Sequence, residues 1–245
     1  MRNIKLTIEY DGKDFNGWQK QPDKLNIQGN IEKAIESIVG HEVNLTASGR
    51  TDAGVHSLGQ VANFKTDSQI PIEKIAIAIN SRLKKSIVVK NAEEVDERFH
   101  SRLNCKQKTY RYVINNSKQG TAIYRNLEYH ISNVLDVEKM NKAAKYFEGE
   151  HDFKAFKASG TSNKNSVRKI YKAEVYKKND RIYIELTGNG FLYNMVRIIS
   201  GTLVEVGIGK KNPEDIIQII ESKKRENAGK TLPAHGLYLV KVEYE

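Results

Sequence analysis

Ala47-Ser48-Gly49-Arg50-Thr51-Asp52-Ala53-Gly54-Val55-His56 is the stretch from which the rest of the chain can be read. It follows an apolar alternation at Val43, Leu45 and Ala47 and precedes a run from Gln60 to Phe64. That context predicts strand, loop, strand. Gly49 and Gly54 bracket the loop, so its backbone can turn sharply and approach a ligand closely. Between them sit one cation, one hydroxyl and one carboxylate. A carboxylate with no second acid beside it makes a poor metal site and a poor acid/base pair. It serves as a nucleophile where a cation holds it ionised. The competing reading is a polar turn capped by Asp52, with Arg50 in solvent.

Outward from the loop, strand and helix patterns alternate. Ile4, Leu6, Ile8 and Tyr10 alternate with Lys5, Thr7 and Glu9, a half-buried strand. Ile27, Ile31, Ile35, Ile38 and Val39 recur at helical spacing and Gly40 suits a helix stop. Ile72, Ile75, Ala76, Ile79 and Leu83 describe a second helix, and Ile87 to Val89 a buried strand. The pattern then restarts. Tyr110, Tyr112 and Ile114 alternate. Asp136 precedes a helical set from Val137 to Phe147. Tyr171 to Leu186 predicts a hairpin turning at Asn179-Asp180. Phe191 to Val206 reads as an apolar helix, and Asn212-Pro213-Glu214 as an N-cap and first-turn Pro opening another. Tyr238 to Tyr244 is the last strand. Segments 115–130 and 154–166 are polar and predict loops, the second with cations suited to phosphate. Strand runs mixed with helices and joined partly by hairpins give an α+β class with a mixed or antiparallel sheet.

The chain has 245 residues, with 40 Lys+Arg against 30 Asp+Glu and a formal charge of +10. This excess points to a polyanionic partner, and its spread over folded segments favours a basic groove over a tail. Cys105 is the single cysteine, which excludes an internal disulfide and fits a reducing, cytoplasmic setting. Charged residues interrupt every long apolar stretch, so neither a secretory signal nor a membrane span is expected. His56 and His100 lack partners at metal-ligand spacing, so no metal is expected. Cys105 has no activating context and reads as an inert thiol.

Gly49 to His56 resembles the active-site loop of the tRNA pseudouridine synthase A family. Tyr10-Asp11-Gly12 with Phe15 and Gly17-Trp18-Gln19-Lys20-Gln21 is similar to its amino-terminal signature. Phe99-His100-Ser101-Arg102 followed by Lys108-Thr109-Tyr110-Arg111-Tyr112 resembles its central one. Gly190-Phe191-Leu192-Tyr193-Asn194-Met195-Val196-Arg197 and Pro233-Ala234-His235-Gly236-Leu237-Tyr238-Leu239 resemble its carboxy-terminal pair. Five blocks stand in the family's order across nearly the whole chain. Ser101 stands where the family usually has Ala, and Leu103-Asn104-Cys105 replaces a more regular basic run. These departures bear on RNA contacts and substrate range rather than on chemistry.

The resemblance implies two pseudo-equivalent α+β halves, 1–104 and 105–245, with their sheets joined centrally, helices outside and an RNA cleft between them. It implies isomerisation of uridine to pseudouridine at tRNA positions 38 to 40, by a homodimer, without a cofactor. Asp52 is then the nucleophile, Arg197 its countercharge and Tyr110 the residue beside the target uridine. An unpaired Arg on the apolar helix of Leu192, Met195 and Val196 would be costly, unless its long stem reaches solvent at a helix end. Tyr110 offers a ring to stack on a base and a hydroxyl to carry a proton; the alternative is a core tyrosine. Arg50 would fill the space of a flipped base or hold a phosphate. Trp18, Gln19 and Lys20 form an RNA-facing finger or, for Trp18, a buried ring. His56 and Leu192 join the expected RNA-contact set. Two rivals remain: a tRNA-binding module without catalysis, and a uridine C5-methyltransferase. The first would lack one of Asp52, Tyr110 or Arg197. The second needs a reactive Cys and a Gly-x-Gly-x-x-Gly after a strand, and neither is present.

Overall fold

Ile4, Leu6, Ile8 and Tyr10 are buried along one face of the strand β1 (Arg2–Tyr10). The computed structural model describes residues 1–160 and 165–244. The chain divides into two units, Met1–Lys106 with Tyr238–Glu245, and Gln107–Leu237.

In the first unit β1 is followed by α1 (Ile27–Val39), β2 (Thr46–Ala47), β3 (His56–Thr66), α2 (Ile72–Asn80) and β4 (Ile87–Val95). β1 lies between β4 and β3, antiparallel to both. Ile27, Ile31 and Ile35 of α1 and Ile75 and Ile79 of α2 join the β1 residues in one apolar core with Phe64, Phe15 and Trp18. Asn26 caps α1 by accepting from the Gly29 amide at 2.8 Å. Gly40 ends it in the left-handed region, at φ 81. The alternation at Val43 to Ala47 yields a ladder only at Thr46–Ala47. Leu45 leaves the sheet because its N–H donates to Glu32 Oε1 and its carbonyl accepts from Gln28 Nε2, both on α1. Val88 is exposed, so β4 is half-buried rather than buried throughout.

The second unit contains β5 (Gln107–Asn115), β6 (Tyr129–His130), α3 (Val137–Lys145), β7 (Gly149–Asp152), β8 (Val167–Lys178), β9 (Arg181–Gly188), α4 (Met195–Gly207) and α5 (Asp215–Ser222). Its strands run in the order β5-β9-β8-β7, all antiparallel, with β6 added parallel to β5. The β8–β9 hairpin turns at Asn179, which holds φ 54. α3 packs on β8 and α4, and α4 on β5. Three boundaries differ from the sequence pattern. Asn194 has φ 59, which no α-helix tolerates, so α4 starts at Met195 and not at Phe191. Asn212 does not cap α5; instead Asp215 Oδ2 accepts from the Asn212 amide at 2.7 Å. Residues 154–156 are not a surface loop, because Phe153–Phe156 form a 3-10 turn whose two phenylalanines are fully buried. The rest of the 154–166 segment includes Thr161 to Lys164, which lie outside the described residues.

The last strand, β10 (Leu237–Glu243), pairs parallel with β3 through Tyr238↔His56 and Leu239↔Ser57. Tyr244 Oη then donates to Ser101 O at 2.8 Å. From Tyr238 onward the chain therefore belongs with the first unit, and the expected second half of 105–245 is cut short at Leu237. Each unit is α+β with a mixed sheet. Among the described residues no helix is long and apolar enough to cross a membrane.

Candidate active site

The first unit holds the loop around Asp52 from three directions. On its incoming limb, Ser48 Oγ donates to Gln60 Oε1 at 2.7 Å, and Gln60 Nε2 donates to Gly49 O at 2.9 Å. Gln60 is fully buried, so this tie to β3 is shielded from water. In the middle, Thr51 Oγ1 lies 2.7 Å from Tyr10 Oη, and Thr51 O accepts from the Trp18 amide at 3.0 Å. Gly17 makes that approach possible: it has φ 84, and a Cβ there would stand 2.6 Å from Thr51 O. On the outgoing limb the Val55 amide donates to Asp52 O at 3.1 Å, closing a turn through Gly54 at φ 77.

Gly12 packs against that turn so closely that a Cβ would lie 2.0 Å from Val55 O. Its amide donates to His56 Nδ1 at 3.1 Å, and the same nitrogen lies 3.0 Å from Asp11 Oδ1. A neutral His56 accepts from Gly12; a protonated one donates to Asp11. The imidazole stacks on Tyr238 with centroids 4.9 Å apart. Asp52 is thus half-buried between two fixed neighbours, Thr51 and Val55, on a loop whose shape three glycines permit.

In the second unit Tyr110 sits on β5 opposite Leu186 of β9. Its ring meets Phe191 edge to face, with centroids 5.1 Å apart. Arg197 lies in the first turn of α4. Its Nε donates to Leu232 O and its Nη1 to Asn194 Oδ1, both at 2.6 Å. Beside it, Tyr112 Oη donates to Pro233 O at 2.7 Å, and Gly236 lies so close that a Cβ would be 2.6 Å from the Tyr112 ring. Burial pushes the Tyr112 phenol well up, with the Arg197 charge opposing it. These contacts bind β5, the start of α4 and the 232–236 turn together.

A family model described as tRNA pseudouridine synthase matches residues 6–104 and 143–245. The chain belongs to that family. Three relatives named tRNA pseudouridine synthase A match over their full length and all of this chain. They come from Caldicellulosiruptor saccharolyticus, 54% identical, Ruminiclostridium cellulolyticum, 53%, and Acetivibrio thermocellus, 52%. Among solved structures, one of a Cbf5-Nop10-Gar1 complex matches 82% of this chain and 54% of its own, at 14% identity and a TM-score of 0.37. As a tRNA pseudouridine synthase the chain is an isomerase acting on uridine in tRNA.

Within the pseudouridine synthase frame, Asp52, Arg50, His56, Trp18, Gln19 and Lys20 fall in the first unit, and Tyr110, Leu192 and Arg197 in the second. Trp18 is 2% exposed inside the first core, so its ring is structural and its amide carries its effect on the loop. His56 is 1% exposed and supports the loop from behind rather than facing RNA. Leu192 is largely buried, its amide 3.5 Å from Met195 Sδ. Gln19, Lys20 and Arg50 are exposed. Lys20 pairs with buried Glu32 at 3.1 Å, and this hydrogen bond raises its pKa. Ser101 is no surface departure: it is fully buried and donates to Asn63 Oδ1 at 2.8 Å. Tyr10, Thr51 and Asn194 stand in the quoted motifs, but their supporting contacts, Tyr10 to Thr51 and Asn194 to Arg197, are not encoded by any spacing. Among the described residues, no group of three or more His, Cys, Asp or Glu side chains is placed to hold a metal ion.

Proposed function

We propose that this chain converts uridine to pseudouridine in the anticodon arm of tRNA, at positions 38 to 40, with Asp52 as the nucleophile. The observation that supports this most is the Asp52 loop. Its carboxylate is the acid of the loop, and both neighbouring residues are immobilised by buried hydrogen bonds and close glycine contacts. Pre-organisation of this kind lowers the cost of reaching a reactive geometry.

The reaction breaks the bond from uracil N1 to ribose C1′, turns the base and joins C5 to C1′. C5 loses a proton and N1 gains one, so the balance needs no cofactor. The target base leaves its stack to be reached. Asp52 attacks a carbon of the ring or sugar, Arg197 keeps it ionised, and Tyr110 stacks on the uracil and moves a proton. Arg50, Gln19 and Lys20 contact the RNA backbone, in keeping with the +10 charge. The enzyme works in the cytoplasm as a two-fold dimer, one arm of tRNA being smaller than the substrate that must be held.

The deciding experiment follows tritium release from C5-labelled uridine in tRNA, because forming the new C–C bond expels that hydrogen. Asp52→Asn and Asp52→Ala abolish release while tRNA affinity stays near wild type. Release by Asp52→Ala at close to the wild-type rate would refute the assignment.

A further inference from the structure

We propose that Asn194 is a positioning residue for catalysis, acting by orienting the guanidinium of Arg197; this rests on the role given to Arg197 above. Three observations carry it. Asn194 is the residue before α4, yet its side chain makes no capping hydrogen bond to the helix. Asn is among the best N-caps, so the usual use of this residue at this place is forgone. The residue stands instead at φ 59 and ψ 7, in the left-handed region that favours glycine. Its Oδ1 accepts from Arg197 Nη1 at 2.6 Å.

Arg197 is itself in an unfavourable place. It is a cation in the first turn of α4, with no acidic residue in that turn to offset it. The positive end of the helix dipole opposes a charge there. Helix stability therefore does not explain Arg197, and something must hold it. Two fixed acceptors do so, Leu232 O on Nε and Asn194 Oδ1 on Nη1. Two points fix the plane of a guanidinium, and with it the directions of the N–H groups left on Nη1 and Nη2. A guanidinium held in one plane suits a carboxylate, with which it pairs along two parallel bonds. With only the Leu232 contact the plane would rotate about Nε, and the remaining donors would spread over many directions.

The rival explanation is that Asn is present merely because it tolerates a positive φ. Asn194→Gly separates the two. Glycine adopts φ 59 freely, so the rival predicts a variant as stable and as active as wild type. The proposal predicts unchanged or higher melting temperature, a KM for tRNA within about twofold, and kcat lowered about tenfold, the scale of a misplaced but present group. It also predicts that the acidic limb of the kcat–pH profile moves to higher pH, because a wandering cation stabilises ionised Asp52 less. In an Arg197→Met background Asn194→Gly has no further effect, since both act through one group. Wild-type kcat and pH profile in Asn194→Gly overturn the inference, as do additive losses in the double variant. If Asn194→Gly is silent while Arg197→Met and Asp52→Ala are inactive, the inference alone fails. A fully active Arg197→Met overturns both it and the role assigned to Arg197.

Discussion

The phenol of Tyr10 and the hydroxyl of Thr51 lie 2.7 Å apart in the interior of the first unit, one residue before Asp52. The pair joins the end of β1 to the centre of the loop, so a strand that is otherwise only core also fixes the proposed nucleophile. Tyr10→Phe leaves the Thr51 hydroxyl buried without this partner, which costs about 1–3 kcal/mol. Thr51→Val is expected to cost less, because the Tyr10 phenol keeps Gln60 and Ser57 within hydrogen-bonding reach. Replacing both is expected to restore much of the lost stability, because two apolar groups then face each other. Urea unfolding of the four proteins measures this. Turnover is expected to stay low in the double variant, since the loop has lost its tie.

Burial raises the phenol pKa of Tyr10, Tyr112 and Tyr244 above the ordinary value of 10.0. In the unfolded chain these groups ionise near the ordinary value; in the folded one they stay neutral. Above that pH the unfolded state binds fewer protons, so stability falls as pH rises. Their contribution is whole below about pH 10 and is lost through the alkaline range above it. Urea midpoints taken across that range should drop steeply. Tyr244→Phe, which loses only the bond to Ser101 O, should flatten the drop.

Periodicity made most elements legible. Alternation at Ile4 to Tyr10 gave β1, and Gly40 stands where α1 ends, while its Asn26 cap is not read from the sequence pattern. What was hidden lay in single-residue geometry. Nothing in the run from Phe191 to Val206 says that Asn194 takes a left-handed conformation and delays the helix. Leu45 looked like a strand residue because its backbone partners on α1, Glu32 and Gln28, are distant in sequence. Trp18 shows the same limit. Its ring was equally readable as a surface finger or a core side chain, and only the packing around Phe15 and Ile27 decides. The candidate site was legible as a motif, but the supports of its loop were not. Tyr10 and Gln60 reach Thr51 and Gly49 through side-chain contacts that no spacing encodes.

Two glycines allow a clean contrast. Gly12→Ala puts a methyl 2.0 Å from the Val55 carbonyl, so the turn after Asp52 must shift. Gly40 ends α1 at φ 81 with open space around it. Gly40→Ala is expected to cost about 1–2 kcal/mol from its backbone conformation alone and to leave kcat unchanged. Gly12→Ala is expected to lower kcat far more than its loss of stability explains. Turnover measured well below both melting temperatures compares them.

Tyr110 is the residue whose proposed role divides most sharply. On β5 it faces Phe191 with an edge-to-face contact of 5.1 Å. Tyr110→Phe keeps the ring, that contact and any stacking on a uracil, and removes only the hydroxyl. If the hydroxyl moves a proton, turnover should fall roughly a hundredfold or more while tRNA affinity holds. Tyr110→Ala removes the ring as well and should weaken binding of the flipped base further. Wild-type tritium release by Tyr110→Phe beside a crippled Tyr110→Ala would leave the residue a stacking platform and assign the proton to another group.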